Sequence, residues 1–172
     1  MGKSRLTTLD ALKFSRHDFL NELQLVLMYI DLGEPLKAKK AILNATNDIR
    51  QVSMLGKLGL PETEQWISTF SWMYTAFQTK LSCTIESGVR KVDDLAVASY
   101  LAYVFSDIQE LLDASFEYEA SIEVRATSTD WLIDITIQGP LIEKQQLPKV
   151  EKGFHVEETI LKNLWKLTIS GN

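Results

Sequence analysis

Leu9, Leu12, Leu20, Leu23, Leu27 and Ile30 recur at three- and four-residue spacing near the start of the chain. That period matches one face of an α-helix and predicts a long amphipathic helix over 6–31, with Arg16 and Phe19 filling the intervening turn. Thr7 or Thr8 followed by Asp10 supplies a polar N-terminal start. Gly33 can take the left-handed conformation that ends a helix, and Pro35 can open the next one. A second helix over 35–56 then places Ala38, Ala41, Ile42, Ala45, Ile49, Val52 and Leu55 on one stripe. The connection between them is so short that the two must run antiparallel as a hairpin. Two helices cannot bury two apolar stripes, so a second copy is expected to complete a four-helix bundle. The alternative is cover from the carboxy-terminal part of the same chain.

After residue 58 the pattern changes. Residues 61–78 read as a helix with Pro61 near its start and Trp66, Phe70, Met73 and Phe77 on one side. Residues 81–86 alternate like a strand, and a helix is predicted over 93–115. Alternating runs follow at 121–127, 131–137, 154–159 and 164–169. Helix, strand, helix and then adjacent strands predict an α+β sandwich with helices on one face of a mixed sheet. The expected division is therefore a helical hairpin at 1–58 and an α/β unit at 59–172.

Composition narrows the class. With 172 residues the chain buries roughly 70% of its unfolded surface, and four Trp, five Tyr and seven Phe argue against disorder. No apolar run reaches the ~20 residues of a membrane span, the first residues lack the apolar core of a signal peptide, and Cys83 is the only cysteine. A soluble, reduced, cytoplasmic protein is expected, with no membrane partner. Residues 1–58 carry nine Lys/Arg against six acids, a net of +3, and residues 59–172 carry nine against seventeen, a net of −8. A pI near 5 argues against general nucleic-acid binding, while the basic first third suits an acidic protein or a phosphate.

Chemistry points to one side chain. His155 lies in a strand-like run beside Glu157 and reads as structural. His17 shares its helix face with Asp10, Lys13, Asn21, Gln24, Met28 and Asp31, a quarter-turn from the leucine stripe. It therefore stands at the edge of a polar face, open to water or to a docked partner. Geometry alone leaves two readings open, a tolerated surface histidine and a nucleophile, since an imidazole in water is largely neutral at pH 7. Lys13 and Arg16 can steady an incoming phosphoryl group. No second His or Cys stands three or four residues away, so no metal is expected. No P-loop, nucleophile elbow or zinc motif is present. The lysine-rich run at 37–40 reads as a solvated helix start, Cys83 as a small buried side chain, and the Trp66–Phe70–Trp72–Phe77 aromatics as core.

The string Arg16-His17-Asp18-Phe19-x-Asn21-x-Leu23-Gln24 resembles the phosphoacceptor helix of the sporulation initiation phosphotransferase B family and of the related citrate-sensor-type histidine kinases. By that resemblance His17 takes a phosphoryl group, and Arg16, Asp18 and Asn21 flank it and tune its reactivity. In the kinases an ATP-binding module follows the hairpin. Here Glu110-Leu111-Leu112-Asp113-Ala114 looks like its asparagine box with both asparagines gone. Gly139, in ITIQGPLIE, remains of the first glycine loop without its Asp or second Gly, and the second loop has no counterpart. Backbone amides cradle a triphosphate only where glycines let the chain turn and approach. The α/β unit thus resembles a kinase ATPase domain that has lost its nucleotide.

The resemblance implies a phosphorelay phosphotransferase of sporulation initiation, not an ATP-dependent kinase. The phosphoryl group would pass from the aspartate of one response regulator to His17, then to the aspartate of a second. Each docked regulator would supply Mg²⁺ and a lysine, the chain having no cofactor of its own. The receiver domains would touch Lys13, Phe14, Asn21, Gln24, Leu25 and Met28, two regulators per homodimer. The alternatives are a histidine kinase fragment and a non-catalytic bundle protein that binds and inhibits a kinase or regulator.

Overall fold

Residues 6–140 and 153–172 are described in the computed structural model. They form two compact units that divide between Arg50 and Gln51.

The first unit is built on two helices, α1 (Thr8–Asp31) and α2 (Pro35–Leu55), the second of which runs on into the other unit. Thr7 caps α1: its hydroxyl oxygen accepts the Asp10 N–H at 3.1 Å, and the Asp10 carboxylate accepts the Thr7 N–H at 3.2 Å. This is a reciprocal capping box. At the other end Gly33, at φ 69°, lets the Gly33 N–H reach the Ile30 carbonyl at 2.9 Å and the Glu34 N–H reach that of Tyr29 at 2.8 Å. These two bonds close the last turn in the manner expected of a helix-ending glycine. Pro35 then opens α2 as predicted. The least exposed positions nearest the turn are Val26 and Tyr29 on α1 and Ala38 and Ala41 on α2. No residue of α1 is fully buried.

The second unit holds α3 (Pro61–Ser68), α4 (Phe70–Met73), β1 (Phe77–Ile85), α5 (Asp94–Glu110), β2 (Tyr118–Ala126), β3 (Trp131–Gln138), β4 (His155–Leu161) and β5 (Leu164–Gly171). The strands form one sheet in the order β1-β2-β3-β5-β4. β1 and β2 pair in parallel, with α5 as the crossover, and the other pairs are antiparallel. One sheet face, with Ile122, Val124, Ile133, Ile135, Leu167 and Ile169, is sealed from solvent. Aromatic contacts from Phe105 of α5 to Phe77 on β1 and Trp165 on β5, at 6.1 and 5.8 Å between ring centroids, show the helix lying over this face. The α+β architecture is the one expected.

Two helices are shorter than their periodicity suggests. The predicted helix at 61–78 breaks at Thr69 (φ −100°, ψ 2°), whose hydroxyl donates to the Gln65 carbonyl at 2.8 Å. Phe77 already belongs to a strand. Trp66, Phe70 and Phe77 of the expected stripe share a helical spacing because they converge, together with Tyr74, on Phe105, at 5.0–6.1 Å. A shared target, not one helix face, sets that pattern. The helix predicted over 93–115 ends at Glu110, because the Asp113 N–H donates to the Tyr118 hydroxyl at 2.9 Å instead of to a helical carbonyl.

Two side chains tie these elements together. Asp94 accepts the Glu62 and Thr63 N–H groups at 2.6 and 3.0 Å, and so caps α3, whose own N-cap residue Leu60 has no side-chain oxygen. Arg90 is buried and donates to the carbonyls of Leu58 (2.9 Å), Thr127 (2.7 Å) and Glu86 (3.0 Å). Its guanidinium holds the segment leaving α2, the segment leaving β1 and the β2–β3 turn in one place.

Candidate functional site

His17 sits mid-way along α1 with 71% of its side chain exposed. The helix brings Asn21 one turn on and Asp18 beside it, because residues i and i+4 stand on one face. Asn21 Nδ2 lies 3.2 Å from His17 Nδ1, and Asp18 Oδ1 lies 3.5 Å from the same nitrogen. Both contacts go to Nδ1, and Nε2 points away with no hydrogen-bond partner among the described residues. With one ring nitrogen held and the other open, the imidazole can act as a nucleophile toward a group brought from solution.

The other residues expected at the site are also presented. Lys13, Phe14, Arg16, Gln24, Leu25 and Met28 are all exposed on α1. The structure thus presents the whole set exposed on one helix. The leucine stripe is equally bare: Leu9, Leu12, Leu20, Leu23, Leu27 and Ile30 are exposed, as are Leu36, Ile42, Leu43, Ile49 and Val52 on α2. A row of this length is far more apolar surface than scattered surface leucines account for.

The segments expected to resemble kinase nucleotide motifs are engaged in packing. The Tyr118 hydroxyl receives the Asp113 N–H and donates to the Pro140 carbonyl at 2.6 Å. Gly139, at φ 141°, lies so close to the Tyr118 ring that a Cβ there would collide with it. The segments at 110–115 and 138–140 are therefore bridged by one tyrosine, a role that no local pattern in the sequence announces. Gly171 likewise lies against the Trp131 ring. The expected loop residues at 141–143 lie outside the described residues.

His155 is exposed and paired with Glu157 at 3.2 Å, as a structural reading expects. It borders an open groove of about 1120 Å³ at one end of the sheet, where Lys91 and Arg125 stand with Glu86 and Asp130. Those charges offset one another. No local pattern in the sequence marks this groove, since its lining comes from five separate segments. On the solvent-facing side of the sheet Asp134 is buried among Thr168, Lys166 and Arg125. Burial pushes its carboxyl up, but the hydrogen bond from Thr168 and the neighbouring Lys166 and Arg125 outweigh it and leave the group below the usual carboxylate range. Among the described residues no cluster of His, Cys, Asp or Glu could hold a metal ion, and no helix is long and apolar enough to cross a membrane.

Comparison with known proteins finds a family match in the helical first third. No curated protein matches the chain. Solved structures with similarity include the Acinetobacter baumannii histidine kinase AdeS, 12% identical over 91% of this chain and 97% of that one, with a TM-score of 0.45. The blue-light activated histidine kinase EL346 of Erythrobacter litoralis is 12% identical over 99% of this chain and 62% of its own, at 0.47. The catalytic domain of histidine kinase ThkA is 10% identical over 66% and 90%, also at 0.47. The family model described as the sensor kinase SpoOB-type alpha-helical domain matches residues 2–58. The first third of the chain, with the whole Arg16–Gln24 string inside it, is therefore similar to the SpoOB-type sensor-kinase helical domain.

Proposed function

We propose that this chain is a phosphorelay phosphotransferase, which receives a phosphoryl group on His17 from the aspartyl phosphate of one response regulator and passes it to the aspartate of a second. The observation that carries this reading is the exposed imidazole held at Nδ1 and open at Nε2, within a helical domain of the SpoOB type. In the forward step the Nε2 lone pair attacks phosphorus, the N–P bond forms, and the P–O bond to the donor carboxylate breaks. The second step is the same exchange in reverse with a different carboxylate. Each visiting receiver domain brings Mg²⁺ to neutralise the phosphoryl oxygens, so this chain has no cofactor of its own, and Lys13 and Arg16 add positive charge on the approach.

Docking falls to the exposed Phe14, Gln24, Leu25 and Met28 around His17. The bare stripes of α1 and α2 fit burial against a second copy, giving a homodimeric four-helix bundle at 1–58 with two outward histidines, followed in the chain by the α/β unit at 59–172. The place of action is the cytoplasm, and the pathway is the initiation of sporulation.

The test is to mix the protein with a response regulator labelled on its aspartate, with no ATP. Label appearing on His17, stable to base, labile to acid and absent from His17→Gln, is the expected result. Label incorporated from ATP alone would make the chain a kinase. A His17→Gln variant with undiminished effect on the pathway would make it a non-catalytic binder.

A further inference from the structure

The sheet ends in β1 on one side and in β4 on the other. β4 spans seven residues and carries Glu157 and Glu158, charges of the kind that keep a further strand away. β1 is the edge more open to strand addition. It runs nine residues, FQTKLSCTI, without proline, and its single charge, Lys80, is paired with Glu119 at 3.2 Å. The parallel register, with the bond from the Glu86 N–H to the Ala126 carbonyl, turns the backbone groups of Gln78, Lys80, Ser82 and Thr84 toward β2. Successive residues of a strand alternate, so those of Phe77, Thr79, Leu81, Cys83 and Ile85 face outward. The Phe77 N–H donates to the Tyr74 carbonyl at 3.1 Å, within the turn that leads into the strand. The Cys83 N–H donates to a side chain from another element, Gln51 Oε1 on α2, at 2.7 Å.

Gln51 is half-buried, and it stands on α2 one turn before Leu55 and on the same side as Met54. Leu55 is fully buried and Met54 packs against the core of the second unit, to which Gln51 also belongs. These two anchors fix the side of the helix from which the amide reaches the strand. We propose that Gln51 closes the edge of β1, its side-chain carbonyl standing in for the backbone carbonyl of a neighbouring strand, and so prevents a second copy of this chain from adding there. Cys83 lies between Leu81 and Ile85, so the bond splits the outward run Thr79, Leu81, Cys83, Ile85 that an extended segment would need whole. Copies then meet without joining their sheets. The role belongs to the α/β unit and does not depend on His17 being a phosphoryl acceptor.

Backbone amide exchange in the full chain, resolved by NMR, tests the closure at single residues. In the dilute wild type the Cys83 amide should be protected about tenfold or more over that of Leu81, although both face outward from one strand. Gln51→Leu, of similar size but with no acceptor, should bring Cys83 to the Leu81 level. On concentration the same variant should form assemblies larger than the wild type by light scattering, in which the Thr79 and Leu81 amides gain protection as an added strand covers them. Gln51→Glu keeps the reach and the acceptor oxygen, and should behave as the wild type. A wild-type Cys83 amide no better protected than that of Leu81 would overturn the proposal, whether or not Gln51→Leu folds. So would Gln51→Leu of wild-type mass, larger assemblies that leave Thr79 and Leu81 unprotected, or Gln51→Glu indistinguishable from Gln51→Leu.

Discussion

At the scale of single residues, exposure and burial divide the reactive groups. Cys83 is buried, and burial alone pushes its thiol up to about 11. Iodoacetamide should therefore label it slowly at pH 8 in the native protein and rapidly in 6 M guanidinium, by mass spectrometry. Asp134 shows the opposite balance, its carboxyl lying below the usual range because Thr168, Lys166 and Arg125 outweigh burial. A carboxylate held below its unfolded value, about 3.9, contributes stability in full above that value and loses it as pH falls through the folded one. Asp134→Asn should cost about 1–3 kcal/mol at pH 7, a cost that shrinks as pH falls below the ordinary carboxylate value, read from urea unfolding over a falling pH series.

At the scale of elements, helix ends are legible where local residues mark them. Thr7, Asp10, Gly33 and Pro35 act within four residues of the ends they define, so the first hairpin was readable to within two residues. The end of α3 nearest Pro61 is capped by Asp94, thirty-one residues away from Thr63, and no short window contains that information. Asp94→Ala should lower stability by about 1–2 kcal/mol, a loss measurable by thermal unfolding. Gly33 has open space around it, so Gly33→Ala costs only the left-handed backbone, about 1 kcal/mol, with the hairpin retained by circular dichroism. The missed boundaries at 69 and 110 have the same origin. Aromatics gathered around Phe105 mimic a helical period, and Tyr118 takes an N–H that a longer helix would have used.

For the whole molecule the governing feature is the uncovered apolar face of α1. Its leucines remain open to solvent, and a second copy is the proposed cover. Leu27→Lys removes a stripe residue from each protomer. Burying one leucine is worth about 1.5–3 kcal/mol, so the dimer dissociation constant should rise at least a hundredfold, read by light scattering across a dilution series. Light scattering showing wild-type monomers at micromolar concentration would reject the bundle.

The sequence by itself determined the elements whose causes are local: the two amphipathic helices, their turn, the alternating strands, and the set of residues presented around His17, since 3.6 residues per turn places them without help from any other part of the chain. Tertiary structure decided the rest. The sheet order β1-β2-β3-β5-β4, the Arg90 clamp, the Asp94 cap, the Tyr118 bridge and the charged cluster at Asp134 each join segments far apart in sequence. Their physical cause, the burial of polar groups that must find partners wherever packing brings them, is a property of the folded arrangement and of no single stretch of chain.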